Sequence, residues 1–237
     1  MQPLGAIEQH GSHLPLHTDL LVAERVAQAA VGRVGDELDV WLLPSLAYTK
    51  SNEHAWSAGT IWLSATTLLA VLDDIGRSVA TTPARRLVFL NGHGGNSALV
   101  SVANRELRLR HGLMTFLAHP SVPPDQGGVA TDAAELSMGV HAGADETSLV
   151  LHLEPDLVDM ASAVRRVPEH LADNRHVRFG GPVGFGWLSD DFADDGVIGD
   201  PTGATAERGA ALFEAAVTAF CEALAEIATF SHRRPER

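Results

Sequence analysis

Glu8-Gln9-His10-Gly11, followed by Asp19, sets carboxylates and an imidazole close together in one short stretch. Oxygen and nitrogen donors of this kind suit zinc, manganese or iron(II). The preceding Pro3-Leu4-Gly5-Ala6-Ile7 reads as a buried strand that runs out into a loop. In extended chain, residues i and i+2 point to the same side. Glu8 and His10 therefore project together from the carboxyl end of that strand, where open α/β sheets bind ligands. Asp19 follows the loop His13-Leu14-Pro15-Leu16 at the mouth of an amphipathic segment, within reach of both. The plainer alternative makes Asp19 a helix N-cap and His10 a satisfied core histidine.

A second cluster, Asn91-Gly92-His93-Gly94-Gly95-Asn96, follows the apolar run Leu87-Val88-Phe89-Leu90 and precedes a helical stretch from Ser97 to Arg110. This is strand, glycine-rich turn, then helix. A phosphate loop is the obvious rival, since helix N-termini bind phosphate. The turn lacks the Gly-Lys-Ser/Thr ending of a P-loop and the G-x-G-x-x-G fingerprint, and Lys50 is the only lysine in the chain. His93 as a metal ligand is the better account. A third cluster runs from His141 to Ser148 and contains Asp145 and Glu146. Both acids also fit a helix N-terminus, a reading that satisfies Asp145 better than Glu146. A fourth segment, Ser51-Asn52-Glu53-His54 with Gly59-Thr60, adds another acid–imidazole pair. Each cluster follows a strand-like run, as a site at one sheet edge requires.

Taken together, these motifs resemble the creatininase family of metal-dependent amide hydrolases. The matching residues are Glu8 to Gly11, His13 to Leu16, Thr18-Asp19, Glu53-His54, Gly59-Thr60, Asn91 to Asn96 and His141 to Ser148. Gly199-Asp200-Pro201-Thr202 with Ala204 to Gly209 is similar to that family's C-terminal signature, so the likeness covers nearly the whole chain. The resemblance implies a three-layer α/β/α fold with a mostly parallel central sheet, and two divalent metal ions per chain. Glu8 and His93 would hold one ion, His10 and Glu146 the other, and Asp19 would bridge them. Two ions together activate water and polarise a carbonyl. His141 is placed to protonate the leaving nitrogen, with Glu146 counted beside it in the catalytic set. Glu53, His54, Asn91 and Trp187 are expected to orient substrate or support the ligands. A homo-oligomer, a hexamer by family likeness, and a small-molecule amide substrate are implied as well.

One departure bears on the substrate. Creatininase proper, by the same resemblance, carries an acidic ligand two residues after the histidine of the Asn-Gly-His turn, where this chain has Gly95. Relatives with the Gly-Gly turn hydrolyse formamides, peptides or cyclic sugar derivatives. The segment Phe185-Gly186-Trp187-Leu188-Ser189-Asp190 resembles the creatinine branch more than the mycofactocin-precursor peptidase branch. The expected reaction is therefore hydrolysis of a cyclic or linear amide in the manner of creatinine amidohydrolase. A peptidase or formamide deformylase of the same family is the alternative, and a non-catalytic metal-binding scaffold is a more distant one. A two-metal phosphoesterase is disfavoured by the sparse arginines and the absence of lysine near the motifs. No serine has a nucleophile-elbow context.

The chain has 237 residues, of which 45% are hydrophobic, enough for one sizeable core across residues 1–237. A net charge of −13 argues against a general nucleic-acid-binding role. No apolar run approaches a membrane span and no signal peptide is visible, so the expected location is cytoplasmic. Cys221 is alone and falls in an alanine-rich helix, where packing explains it. Met1 stands just ahead of the first strand, so the family's opening segment is expected to be missing or shortened.

Periodicity supplies the elements that must carry the motifs. Strands are expected at Leu38 to Pro44, Arg86 to Leu90 and Leu113 to Ala118. Helices are expected at Ala65 to Ala80, Ser97 to Arg110 and Ala204 to Phe230. Such alternation argues for a largely parallel sheet with helices on both faces. Pro120 to Gly139 reads as a surface excursion near the site. Val177 to Gly199, with Phe185, Trp187 and Phe192, reads as a mobile lid or subunit contact.

Overall fold

The computed structural model describes residues 1–232. Strands β1 (Gln2–Leu4), β2 (Arg86–Asn91) and β3 (Met114–Ala118) form one parallel sheet in the order β1-β2-β3. Pro3 pairs with Leu90, which in turn pairs with Ala118. Among the described residues five α-helices accompany the sheet: α1 (Thr18–Leu38), α2 (Ala65–Ala80), α3 (Ser97–His111), α4 (Ala144–Leu153) and α5 (Ala206–Thr229).

The alternation of side chains along β2 sets the layers. Val88 and Leu90 enter a core with Val26, Ala27 and Ala30 of α1 and Val217, Phe220 and Leu224 of α5. Leu87 and Phe89 enter a separate core with Leu68 and Leu72 of α2 and Val100, Ala103 and Leu107 of α3. Neighbouring strand residues point to opposite faces, so β2 is the wall between two apolar layers. Buried on both sides, it reads as a continuous apolar run, the pattern of a parallel interior strand. The three-layer α/β/α arrangement follows.

Local signals start the helices. The Ser64 hydroxyl accepts from Thr67 N (3.1 Å) ahead of α2, and the Thr205 hydroxyl accepts from Arg208 N (3.1 Å) ahead of α5, each satisfying an otherwise unpaired donor. Helices at 65–80 and 97–111 and strands at 86–91 and 114–118 agree with the periodicity.

The expected strand from Leu38 to Pro44 does not form. Leu38 instead closes α1, and Asp39 caps it in the left-handed region at φ 52°. Val34 and Leu38 both pack on the α1–α5 core, and that burial overrides the strand propensity of the Val40-Trp41 stretch. The chain beyond still runs along β1. Leu43 N donates to Met1 O (2.9 Å) and Leu46 N to Pro3 O (3.0 Å), with a single parallel bridge between Leu4 and Leu46. Among the described residues, no helix is long and apolar enough to cross a membrane.

Helices α4 and α5 meet closely at Gly209, where an added Cβ would be driven into Ser148 O. A backbone carbonyl inside a helix cannot give way. Gly209→Ala should therefore destabilise the protein by about 1–3 kcal/mol, outweighing the ~1 kcal/mol helix-propensity gain of alanine over glycine. Chemical denaturation reads this directly, and a variant as stable as the native chain would show that the two helices separate freely.

Candidate metal centre

The loops beyond the carboxyl ends of β1 and β2 converge with the first turns of α1 and α4. Glu8 and His10 follow β1, and Glu8 N donates to Leu16 O (2.8 Å), which folds the intervening loop back on itself. The Thr18 hydroxyl donates to Pro15 O (2.8 Å), and Asp19 thus enters the cleft from the first turn of α1. Asp19 is not the N-cap of that helix; His17 holds that position. After β2, Asn91 frames the glycine turn: its amide donates to His93 O (2.7 Å) and its Oδ1 accepts from Asn96 Nδ2 (3.1 Å). Glu53 and His54 come from a short 3₁₀ turn, Asn52–His54. His141 is bridged to Ile198, and Glu146 lies in the first turn of α4.

These side chains form one buried cluster. His93 Nδ1 lies 3.2 Å from Glu8 Oε2 and 2.9 Å from Asp19 Oδ2. His10 Nε2 lies 3.2 Å from Asp19 Oδ1 and 4.0 Å from Glu146 Oε2. Asp19 thus turns one oxygen to each of two histidines. His54 Nε2 and His141 Nδ1 stand 3.5 and 3.7 Å from Glu8 Oε1. Glu8, His10, Asp19 and His93 are at most 4% exposed, while Glu146 is half-buried. Despite these short separations, Glu8 Oε2, Asp19 Oδ2 and His54 Nδ1 lack a well-directed hydrogen bond among the described residues. Unpaired buried polar atoms are costly, and a divalent ion is the partner that such a donor set fits. Donor atoms of Glu8, His10 and Asp19, and of His10, His141 and Glu146, lie close enough to share an ion.

Backbone carbonyls orient three of the imidazoles. His10 Nδ1 donates to Glu8 O (3.2 Å), His93 Nε2 to Lys50 O (2.9 Å) and His141 Nε2 to Gln9 O (2.6 Å). In each ring the other nitrogen, His10 Nε2, His93 Nδ1 or His141 Nδ1, is left facing the carboxylates. A histidine that donates its remote N–H in this way presents a lone pair to a metal.

The electrostatics record how crowded the acids are. Burial pushes the Glu8 carboxyl up, and Asp19 adds to it. Glu146 is raised to about 7 by burial, with Asp19 and Glu8 reinforcing the shift. Burial opposes charge on His10, but Asp19, Glu146 and Glu8 outweigh it and raise the group to about 10. His93 is likewise raised, burial being outweighed by Glu8, Asp19 and Glu53. His141 and His54 move the other way, through burial first and then repulsion from neighbouring histidines, with His54 lowered to about 3. Protons on His10 and His93 therefore counter the carboxylates.

The structure also shows what surrounds the cluster, and there Lys50 and Glu135 depart from the sequence reading. Trp187 packs among the chain's own aromatics, edge-on to Phe179 with centroids 5.4 Å apart and 6.2 Å from Phe192. That patch joins the cluster through Ser189, whose hydroxyl donates to Glu53 O (3.2 Å) and accepts from Trp56 Nε1 (2.7 Å). Asp145, read as a helix N-terminal acid, pairs with Arg208 at 2.6 Å. Lys50 corrects the expectation that no lysine stands near the motifs, since its ammonium is 2.6 Å from Glu53 Oε2. Glu135, within the supposed surface excursion, is buried instead. Its Oε1 accepts from Ala144 N (3.0 Å) and Asp200 N (2.8 Å) and ties α4 to the 199–200 loop. A lone glutamate in a Pro/Gly-rich stretch carries no periodic signal that would have revealed it. Ala142 sits at φ 53°, and its N–H donates to Glu146 Oε2 (2.6 Å).

A divalent ion held by these side chains must displace the protons that His10, His93 and Glu146 carry towards it. Metal affinity should rise with pH up to about 10, the value for His10, and loading below about pH 7 should also expel the Glu146 proton. Calorimetry of zinc binding in buffers of different ionisation enthalpy reads the release. Heats independent of the buffer would contradict it.

The chain can now be set beside known proteins. The family described as "Creatininase: Creatinine amidohydrolase" matches residues 1–224. A mycofactocin precursor peptide peptidase from Mycobacterium ulcerans is 40% identical over 219 residues, covering 89% of this chain and 78% of that protein. A creatinine amidohydrolase from Pseudomonas putida is 35% identical over 184 residues, covering 71% and 69%. Identity is thus higher to the peptidase, contrary to the preference read from the Trp187 segment. A crystal structure described as a putative creatinine amidohydrolase from Bacteroides fragilis superposes with a TM-score of 0.78 at 25% identity, covering 98% and 90% of the two chains. Creatininase structures of a manganese form and a Zn–Zn form align with TM-scores of 0.73 and 0.72, at 29% identity over 95% of this chain and 89% of theirs. The chain belongs to the creatininase family of amidohydrolases.

Proposed function

We propose that this chain hydrolyses an amide C–N bond at a centre of two divalent ions. The observation that carries this reading is Asp19, whose two oxygens face different histidines, His10 at 3.2 Å and His93 at 2.9 Å. Glu8, Asp19 and His93 would hold one ion, and His10, Asp19 and Glu146 the other. Zinc or manganese fits the nitrogen and oxygen donors, as does iron(II). Such ions would supply Lewis acidity, which brings the pKa of water towards ~7 and polarises a carbonyl oxygen.

The chain's own residues supply the proton chemistry. His141, held by Gln9 O through Nε2, keeps Nδ1 free of a proton at neutral pH. That nitrogen accepts the proton lost by the attacking water and returns it to the leaving nitrogen as the C–N bond breaks. His54, buried and neutral, lines the cleft beside it, with ring centroids 4.1 Å apart. Asn91 and Glu53 hold the His93 turn in place, and the Trp187 aromatic patch borders the cleft through Ser189.

A peptide amide is the favoured substrate class, supported by the higher identity to peptidases and, by the family resemblance, by Gly95 standing where creatininase proper would carry an acidic ligand. A cyclic amide such as creatinine is the second reading, supported by the likeness to a creatinine amidohydrolase and to creatininase structures. Assembly as a homo-oligomer belongs to the same reading.

Metal-loaded protein should cleave short peptides in preference to creatinine, formamides and lactams, and should leave phosphate esters intact. Inactivity on every amide, with the metals bound, would favour a scaffold. Elemental analysis of Asp19→Ala should show both ions lost or weakened, and full retention would rule out the bridge. His141→Ala should keep its metals and lose roughly 10²–10⁴-fold in turnover, the usual worth of general acid–base catalysis. Loss of metal in that variant would make His141 a ligand.

A further inference from the structure

Beyond the ligands, a second group of residues encloses the remote edge of His93. Its Nε2 faces Lys50 O at 2.9 Å and Glu53 Oε1 at 3.3 Å. The Lys50 ammonium in turn holds Glu53 Oε2 at 2.6 Å. Lys50 therefore contacts this arrangement twice, through its carbonyl on the imidazole and through its side chain on the carboxylate. The Glu53 carboxylate also fills the space beside Gly95: a Cβ at that position would overlap Glu53 Oε1 and press on His93 Nε2. Any side chain at position 95 would expel the carboxylate and tilt the ring.

We propose that Lys50, Glu53 and Gly95 form a positioning device for His93, in which Gly95 leaves room for a Lys50-clamped Glu53 carboxylate to fix the ring with Nδ1 turned to the metal. This inference rests on the metal-centre reading above. Glu53 and Lys50 are positioning residues; they act through the ligand and touch no reacting atom. An acidic side chain at position 95 and Glu53 in this place exclude each other sterically. The glycine at position 95 thus lets negative charge be applied behind the histidine, on the side of Nε2. A carboxylate behind a ligating histidine orients the ring and raises its basicity, and removing such a partner typically lowers metal affinity by about 10–100-fold.

The test titrates Mn²⁺ into the metal-free full chain. Glu53→Gln, which keeps the side chain's shape, should bind Mn²⁺ about 10–100-fold more weakly at unchanged metal-free melting temperature. Lys50→Met, which leaves the backbone carbonyl on His93, should weaken binding less. Gly95→Ala should weaken it at least as much as Glu53→Gln. With Zn²⁺ bound, ¹⁵N NMR of the native protein should show His93 protonated at Nε2 and ligating through Nδ1. That signature should become mixed in Glu53→Gln, which mere loss of packing would not produce. Native affinity and an unmixed His93 signature in Glu53→Gln would overturn this inference alone. Failure of the native chain to bind Mn²⁺ or Zn²⁺ would overturn the metal centre and this inference with it.

Discussion

Buried carboxylates cannot be packed against one another without positive charge between them. Glu8, Asp19 and Glu146 converge in a space closed by two loops and two helices, and burial alone would force protons onto them. The fold answers by interleaving imidazoles, so that both oxygens of Glu8 and of Asp19 and one of Glu146 face a ring nitrogen within 4.0 Å. Much of the rest of the chain supports this arrangement. The sheet brings two loop ends side by side, and the first turns of α1 and α4 deliver one acid each.

Orientation matters as much as proximity. Side chains alone would leave three neighbouring imidazoles free to choose tautomers and to rotate. Carbonyls from Glu8, Gln9 and Lys50 remove that freedom, since each accepts one N–H and leaves the other ring nitrogen inward. Two of these carbonyls belong to the same short motif that carries the Glu8 and His10 side chains, so backbone and side chain of one stretch organise two different rings. Glu135 performs a comparable task at longer range. By accepting from Ala144 and Asp200 it fixes the start of α4, and through it Glu146.

What the sequence made legible was local and periodic. The apolar run at 87–90 and the helical spacing at 65–80 survive because each buries a continuous apolar face. The spacing of Glu8 and His10 and the glycine turn around His93 could be read because motif chemistry lies within a few residues. The Leu38 to Pro44 strand was misread because Val34 and Leu38 gain more from packing on the α1–α5 core than the following residues gain from pairing. Lys50 was overlooked although it stands only three residues before Glu53, which its ammonium contacts; that its carbonyl also meets the remote nitrogen of His93, 43 residues on, is set by tertiary structure and leaves no mark in the spacing. Glu135 escaped because its significance lies in two backbone donors brought to it by tertiary structure.

Ala142 carries a consequence of its own. An alanine at φ 53° occupies a conformation that costs an L-residue roughly 1–2 kcal/mol. Glycine would sit there without strain but would give the unfolded chain more freedom to lose. The bend sets the distance between His141 and Glu146, whose carboxylate accepts from the Ala142 N–H. Here the chain accepts a distorted backbone and gains a stiff one. The spacing between His141 and Glu146 is thereby a property of main-chain geometry, insensitive to side-chain motion around it.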